Sequence, residues 1–228
     1  MRNTPLVPLL LSALLAGCAS SYTSPRKRTL SWHGGDAAAA IALEYDYNAM
    51  RAAGNGKYAR SAASLGLEIP AVRIKNNTDR VIVVKKDLDF TVGGALAEPS
   101  EPGSETAGIR QMTGAYAWWM TLVTVNIFSS KTECSGYGGC ESKTSFIPVG
   151  LILGPLITGI NCGVSSSSNT AFKGDVEGHN LLNATLKPGE TATGFLVFRD
   201  VQGGRPIAAR LRQAAPMAPA VADSLEAR

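Results

Sequence analysis

Asp175, Glu177 and His179 alternate along the chain, so on an extended strand their side chains would share one face. Two carboxylates and an imidazole can hold a metal ion or move protons, which makes a small metal-dependent hydrolase centred on His179, Asp175 and Glu177 one reading of the chain. The set is incomplete. His33 is the second histidine and lies far off in sequence, and no Ser or Cys stands in a nucleophile-elbow context to use His179 as a base. A solvated strand face is the plainer reading, so neither a catalytic residue, a metal nor a cofactor is expected.

The cysteines offer different chemistry. Cys134 and Cys140 enclose Ser135-Gly136-Tyr137-Gly138-Gly139, a loop supple enough to close a disulfide, with Cys162 left over or as an alternative partner. Zinc would need a close Cys-x-x-Cys pair or a neighbouring histidine, and the sequence has neither there. Gly136 to Gly139 also lack the strand-to-helix setting of a phosphate loop. Cys18 stands apart from these three. It closes the apolar run Leu6 to Leu15, which follows the positive start made by Arg2 and is too short to span a bilayer as a helix. That order reads as an export signal.

Leu15-Ala16-Gly17-Cys18 resembles the lipobox of bacterial lipoproteins. The resemblance implies diacylglycerol on the Cys18 thiol, cleavage between Gly17 and Cys18 by the lipoprotein export and maturation machinery, and acylation of the new amino terminus. Residues 1–17 are then a signal peptide. Each buried methylene contributes about 0.8 kcal/mol, so several chains hold a protein on a membrane stably. Ala19, where an Asp would favour the inner membrane, tilts the resemblance toward the outer membrane, facing the periplasm.

The elements that follow have to position whatever is anchored there. Residues 18–36, rich in Ser, Thr, Pro and Gly around Arg26-Lys27-Arg28, suit a solvated tether whose basic cluster serves solubility or attraction to anionic headgroups. From Ile41 the pattern alternates, with Ile41, Leu43, Tyr45 and Tyr47 on one face and Glu44 and Asp46 on the other. Lys57 to Ala63 is a candidate edge strand. Val72 and Ile74 point inward, Asn76-Asn77-Thr78-Asp79 turns, and Leu88, Phe90 and Val92 alternate again. Leu181 to Leu186 and Thr191 to Arg199 read as a hairpin through Lys187-Pro188-Gly189-Glu190, the second strand being central; Ile207 to Arg212 is the last strand. Residues 214–228 form an Ala- and Pro-rich tail read as disordered.

Val72-Arg73-Ile74-Lys75-Asn76-Asn77-Thr78, with Leu186-Lys187-Pro188-Gly189-Glu190-Thr191 and Gly194-Phe195-Leu196-Val197-Phe198, resembles the immunoglobulin-like β-sandwich of many exported bacterial lipoproteins. It implies a mainly β fold, an antiparallel sandwich over residues 37–213 interrupted by an insertion at 95–178. It brings no catalytic residues with it.

The insertion holds two apolar stretches. Ala115 to Phe128 contains Trp118 and Trp119; Phe146 to Ile160 is broken by Pro148, Gly150, Gly154, Pro155 and Gly159. Both fall short of the roughly 20 residues of a spanning helix, and Pro155 makes the second a poor helix. They can be buried elements, or a surface including Trp118 and Trp119 that docks an envelope protein or a second copy, or a loop dipping into the bilayer. Leaving them in water is excluded. The formal net charge is +4, one unit of it from Arg2, and the charges are scattered, which does not call for nucleic acid. The sequence therefore leads to a membrane-anchored, non-enzymatic structural or protein-interaction module.

Overall fold

The computed structural model describes residues 18–134, 139–201 and 203–212. The signal residues 1–17, including Gly17, and the tail 214–228 lie outside the described residues. The principal strands in chain order are β1 (His33–Gly34), β2 (Ile41–Asp46), β3 (Ala71–Asn76), β4 (Leu88–Val92), β5 (Ala95–Leu96), β6 (Ile127–Cys134), β7 (Cys140–Ile147), β8 (Thr191–Phe195) and β9 (Ile207–Leu211). β1, β2, β3 and β8 form one sheet in that order, β9, β4 and β5 a second, and β6 pairs with β7 alone. Every pairing among them is antiparallel.

Alternation decides which faces meet. Leu43 of β2 lies opposite Ile74 of β3, and Ile41, Leu43, Val72 and Ile74 share one buried core with Leu88, Phe90 and Val92 of β4 and Ile207 of β9. The other side of the first sheet is covered by helices. α1 (Gly56–Ser64) buries Tyr58 and Ala62, four residues apart on one face, and the C-terminal half of α2 (Val149–Gly178) buries Phe172 and Val176 in the same way. These four side chains pack with Ala71, Phe195 and Val197, so the body has three layers: sheet, sheet, helices.

Several local expectations change. Strands make up 31% and helices 36% of the chain, so the antiparallel sheets fit a mainly β body while the chain as a whole is mixed. Lys57 to Ala63 is helix, not an edge strand, because Tyr58 and Ala62 obey the helical spacing. The turn at Lys187 closes as expected, with the Glu190 N–H donating to the Lys187 carbonyl at 3.0 Å and Gly189 at φ 76°. Its flanks nevertheless do not form a hairpin, since Thr185–Leu186 pairs with Ile82–Val83 whereas β8 pairs with β3. Asn76 draws the two ladders apart: its side-chain amide donates to the Leu186 carbonyl at 3.1 Å while its own carbonyl accepts from Gly189 at 2.8 Å. β8 is consequently an edge strand rather than a central one. Asp46, expected on the outer face, is buried because the N–H groups of Ser31 and Asn48 donate to its carboxylate at 2.9 and 2.8 Å.

Candidate functional site

The acidic and histidine trio sits on a helix end, not a strand face. Asp175 and Glu177 belong to the last turn of α2 and His179 caps it. Helical geometry brings Asp175 and His179, four apart, onto one face, and turns Glu177 away. His179 Nδ1 lies 3.0 Å from Asp175 Oδ1, whereas Glu177 pairs with Lys173 at 3.9 Å. Asp175 Oδ2 accepts the Tyr22 hydroxyl at 2.7 Å. Burial first, and then that carboxylate, push the Tyr22 phenol well above the ordinary tyrosine range. Among the described residues, no three His, Cys, Asp or Glu side chains converge as metal ligands.

His179 serves the fold. Its carbonyl accepts the Phe195 N–H at 2.9 Å, tying the end of α2 to β8, and a Cβ on Gly194 would lie 2.1 Å from that oxygen. Only glycine admits so close an approach. A cleft of about 250 Å³ opens elsewhere, beside α1, lined by Met50, Arg51, Tyr58, Leu67 and Glu68 among others. Burial raises the Glu68 carboxyl, with Arg51 opposing the shift. Neither histidine and none of the cysteines lines this cleft.

The unusual surface is the insertion. A 3-10 helix, Thr113–Thr124, runs back against the N-terminal half of α2, and β6 and β7 continue beyond them, so that residues 113–134 and 139–160 form a spike on the body. Gly150 and Gly154 seat the two limbs together: added Cβ atoms would lie 1.8 Å from the Leu122 carbonyl oxygen and 2.9 Å from a Val123 methyl. Small residues four apart permit this backbone contact. α2 continues through Pro155, contrary to the poor helix expected, since the close packing along this face outweighs one missing backbone bond. The outward sides are apolar and open. Leu151, Ile152, Leu156 and Ile160 of α2 are exposed, as are Met120 and Val125 on the other limb and Ile127, Phe128, Phe146 and Ile147 in the strands.

Trp118 and Trp119 divide between the two environments. Trp119 is 1% exposed, Trp118 is 56% exposed, and their rings meet tilted by 34° with centroids 4.4 Å apart. Cys134 and Cys140 are joined by a disulfide at the outer ends of β6 and β7. Cys162 is a thiol on α2 that donates to the Thr113 carbonyl at 3.6 Å.

Cys18 stands at the root of the spike. Instead of a solvated tether, the segment after it is strapped to the body along α2. The Ala19 N–H donates to Asn161 Oδ1 at 2.5 Å and the Tyr22 N–H to Ser168 Oγ at 3.2 Å. Ser20 exchanges bonds with the Gln111 side chain, at 3.1 and 2.6 Å, and Lys57 Nζ donates to the Cys18 carbonyl and to Tyr116 Oη. The small polar side chains Asn161, Ser165 and Ser168 form the buried stripe of α2 at this level. Followed back from Tyr22 to Cys18, the strap runs from Ser168 to Asn161, and the next turns of α2 are the exposed apolar ones. Arg60 and Arg110 are exposed beside Lys57, Tyr116 and Trp118 around a shallow recess at the same root.

No family model, no curated protein and no solved structure matches the chain.

Proposed function

We propose that this is a non-catalytic envelope lipoprotein: acyl chains on Cys18 hold a β body at a membrane, and the apolar spike engages what lies there. One observation carries it. Asn161 fixes the residue after Cys18 to the point on α2 where buried polar residues give way to exposed apolar ones, so acyl chains and spike would leave the body together. The two facing antiparallel sheets support an immunoglobulin-like sandwich for the body, and Ala19 supports the periplasmic face of the outer membrane. The separation of Glu177 from Asp175 and His179 supports the absence of a hydrolytic centre.

Mass spectrometry of the amino-terminal peptide of native protein tests the anchor. The expected product begins at Cys18 and carries acyl chains, and Cys18→Ala carries none; a bare thiol on the native chain overturns the proposal.

A second reading has its own support. All eight residues of β6 and all eight of β7 are exposed, which leaves two strand edges for copies of the chain to pair through. A discrete oligomer in mild detergent, lost on deletion of residues 127–147, would favour it.

A further inference from the structure

We infer that the spike crosses the hydrocarbon layer of a bilayer and sets its disulfide-closed tip on the face opposite the body, an inference that rests on the membrane anchoring proposed above. The dimensions agree. Val149 to Ile160 spans roughly 18 Å at the helical rise, and Phe146 to Pro148 add roughly 10 Å of extended chain. Together they come close to a hydrocarbon layer of about 30 Å. The facing limb, Thr113–Thr124 followed by Ile127 and Phe128, covers the same depth.

The spike is built for lipid on all sides. Gln111 to Ser130 contains no charged residue, and neither does Thr144 to Phe172. A helix lying along a membrane surface carries a charged face toward water, and neither limb has one. A core helix of a soluble protein would be covered, yet only 22% of the most apolar window of α2 is buried. Three polar side chains of the spike bond back to their own limb, since Thr121 and Thr124 donate to the Trp118 and Thr121 carbonyls, both at 2.8 Å, and Asn126 donates to the Thr124 carbonyl at 3.1 Å, whereas the Trp119 indole N–H and the Thr158 hydroxyl are buried without a partner among the described residues. Backbone groups of residues 113–124 and 149–160 pair largely inside their helices, and Ile127 and Phe128 pair across to Ile147 and Phe146.

Both ends carry the residues of a boundary. At the root, Lys57, Arg60 and Arg110 surround Trp118 and Tyr116, the basic and aromatic mixture that settles among headgroups, and Cys18 emerges at that level. At the far end, the apolar cross-strand pairs Ile127 with Ile147 and Phe128 with Phe146 give way to Lys131 opposite Lys143 and Glu133 opposite Glu141. Four exposed charges beyond an apolar shaft cannot rest in hydrocarbon, so they lie past it. The Cys134–Cys140 disulfide keeps the two strands one unit.

Lysine labelling of the native, full-length chain in its membrane tests this. Spheroplasts and intact cells are treated with a membrane-impermeant amine reagent before and after permeabilisation, and modified peptides are read by mass spectrometry. Lys86 and Lys187 report the body, Lys131 and Lys143 the tip, and all four are exposed. Crossing predicts a split: one pair labels in a preparation where the other stays protected, and permeabilisation brings the protected pair up by roughly ten-fold or more. If the two pairs label together in every preparation, the inference is overturned; the same result with a discrete oligomer in detergent identifies the spike as an interface between copies. The amino-terminal peptide of the same digest reports acylation of Cys18 separately. A split without acyl chains keeps the crossing and removes the anchor, whereas acyl chains without a split do the reverse.

Discussion

The backbone N–H of Ala19 donates to Oδ1 of Asn161 at 2.5 Å, a contact that joins the start of the described chain to the middle of α2 across 142 positions of sequence. Asn161 is 4% exposed and its amide donates to the Ile157 carbonyl at 2.8 Å, so its orientation is fixed from within the helix. Asn161→Ala removes the acceptor and leaves a partly buried N–H unpaired. The strap should loosen by about 1 kcal/mol, roughly a five-fold rise in local opening. Amide hydrogen exchange at Ala19 to Thr23 reads the effect, while the melting temperature of the body should move by no more than about 3 °C.

Two glycines separate the spike from the body. Gly150→Ala puts a methyl 1.8 Å from the Leu122 carbonyl oxygen, and Gly194→Ala puts one 2.1 Å from that of His179. Neither oxygen belongs to a flexible side chain, so each substitution forces backbone apart at a cost of about 1–3 kcal/mol. The consequences differ by place. Gly150→Ala should open the two limbs and move Trp119, 1% exposed in the native chain, toward a red-shifted emission with the body intact. Gly194→Ala should lower the melting temperature of the whole body by about 2–4 °C per kcal/mol. A variant of Gly150 that melts the body instead would show that the spike is part of the core.

What alternation governs was legible in the sequence. Ile41, Leu43, Val72, Ile74, Leu88, Phe90 and Val92 occupy the strand faces that their period of two assigns, because each faces the partner sheet. Helices held by glycine and by small polar residues were not legible. Gly150 and Gly154 look like helix breakers until Leu122 and Val123 are seen against them, and Ser165 to Ser168 look like a flexible link until the strap from Cys18 to Tyr22 lies on Ser168. Asp175, Glu177 and His179 alternate by number alone; the helix that contains them answers to Phe172 and Val176, whose burial is set by a distant sheet. Trp118 and Trp119 were recognisable as a feature, but their opposite exposures follow from the pairing of the limbs and not from neighbouring positions in sequence.

Glu68 gives a pH-dependent test at the cleft. Burial raises its carboxyl above the ordinary glutamate value, and Arg51 opposes this in part. A raised folded value contributes stability that is full below the unfolded pKa and is lost as pH rises through the folded one. At neutral pH the ionised side chain is thus a small liability. Glu68→Gln should raise the melting temperature at pH 7 by an amount equivalent to no more than about 0.5 kcal/mol, since solvent screens the half-buried group. The gain should vanish below about pH 4, where the wild-type carboxyl is protonated in both states. Thermal melts across this range check the sign as well as the size.

Tyr22 answers at the other end of the scale. Its hydroxyl donates to Asp175 Oδ2 at 2.7 Å, and its ring meets Tyr58 and Phe172 edge-on at 5.6 and 5.7 Å. Burial and the carboxylate hold the phenol protonated well above the ordinary tyrosine range, so its contribution is intact at neutral pH. As pH climbs past about 10 the unfolded chain loses this proton while the folded one keeps it, and stability drains with rising pH. Tyr22→Phe keeps the ring contacts and deletes the bond, which should cost about 1.5–3 kcal/mol at neutral pH, the range for a hydrogen bond to a charged partner. The same variant should flatten the alkaline fall. Denaturant titrations of both chains at neutral and alkaline pH measure the two effects together, and coupling with Asp175→Asn in a double-mutant cycle assigns the loss to this pair.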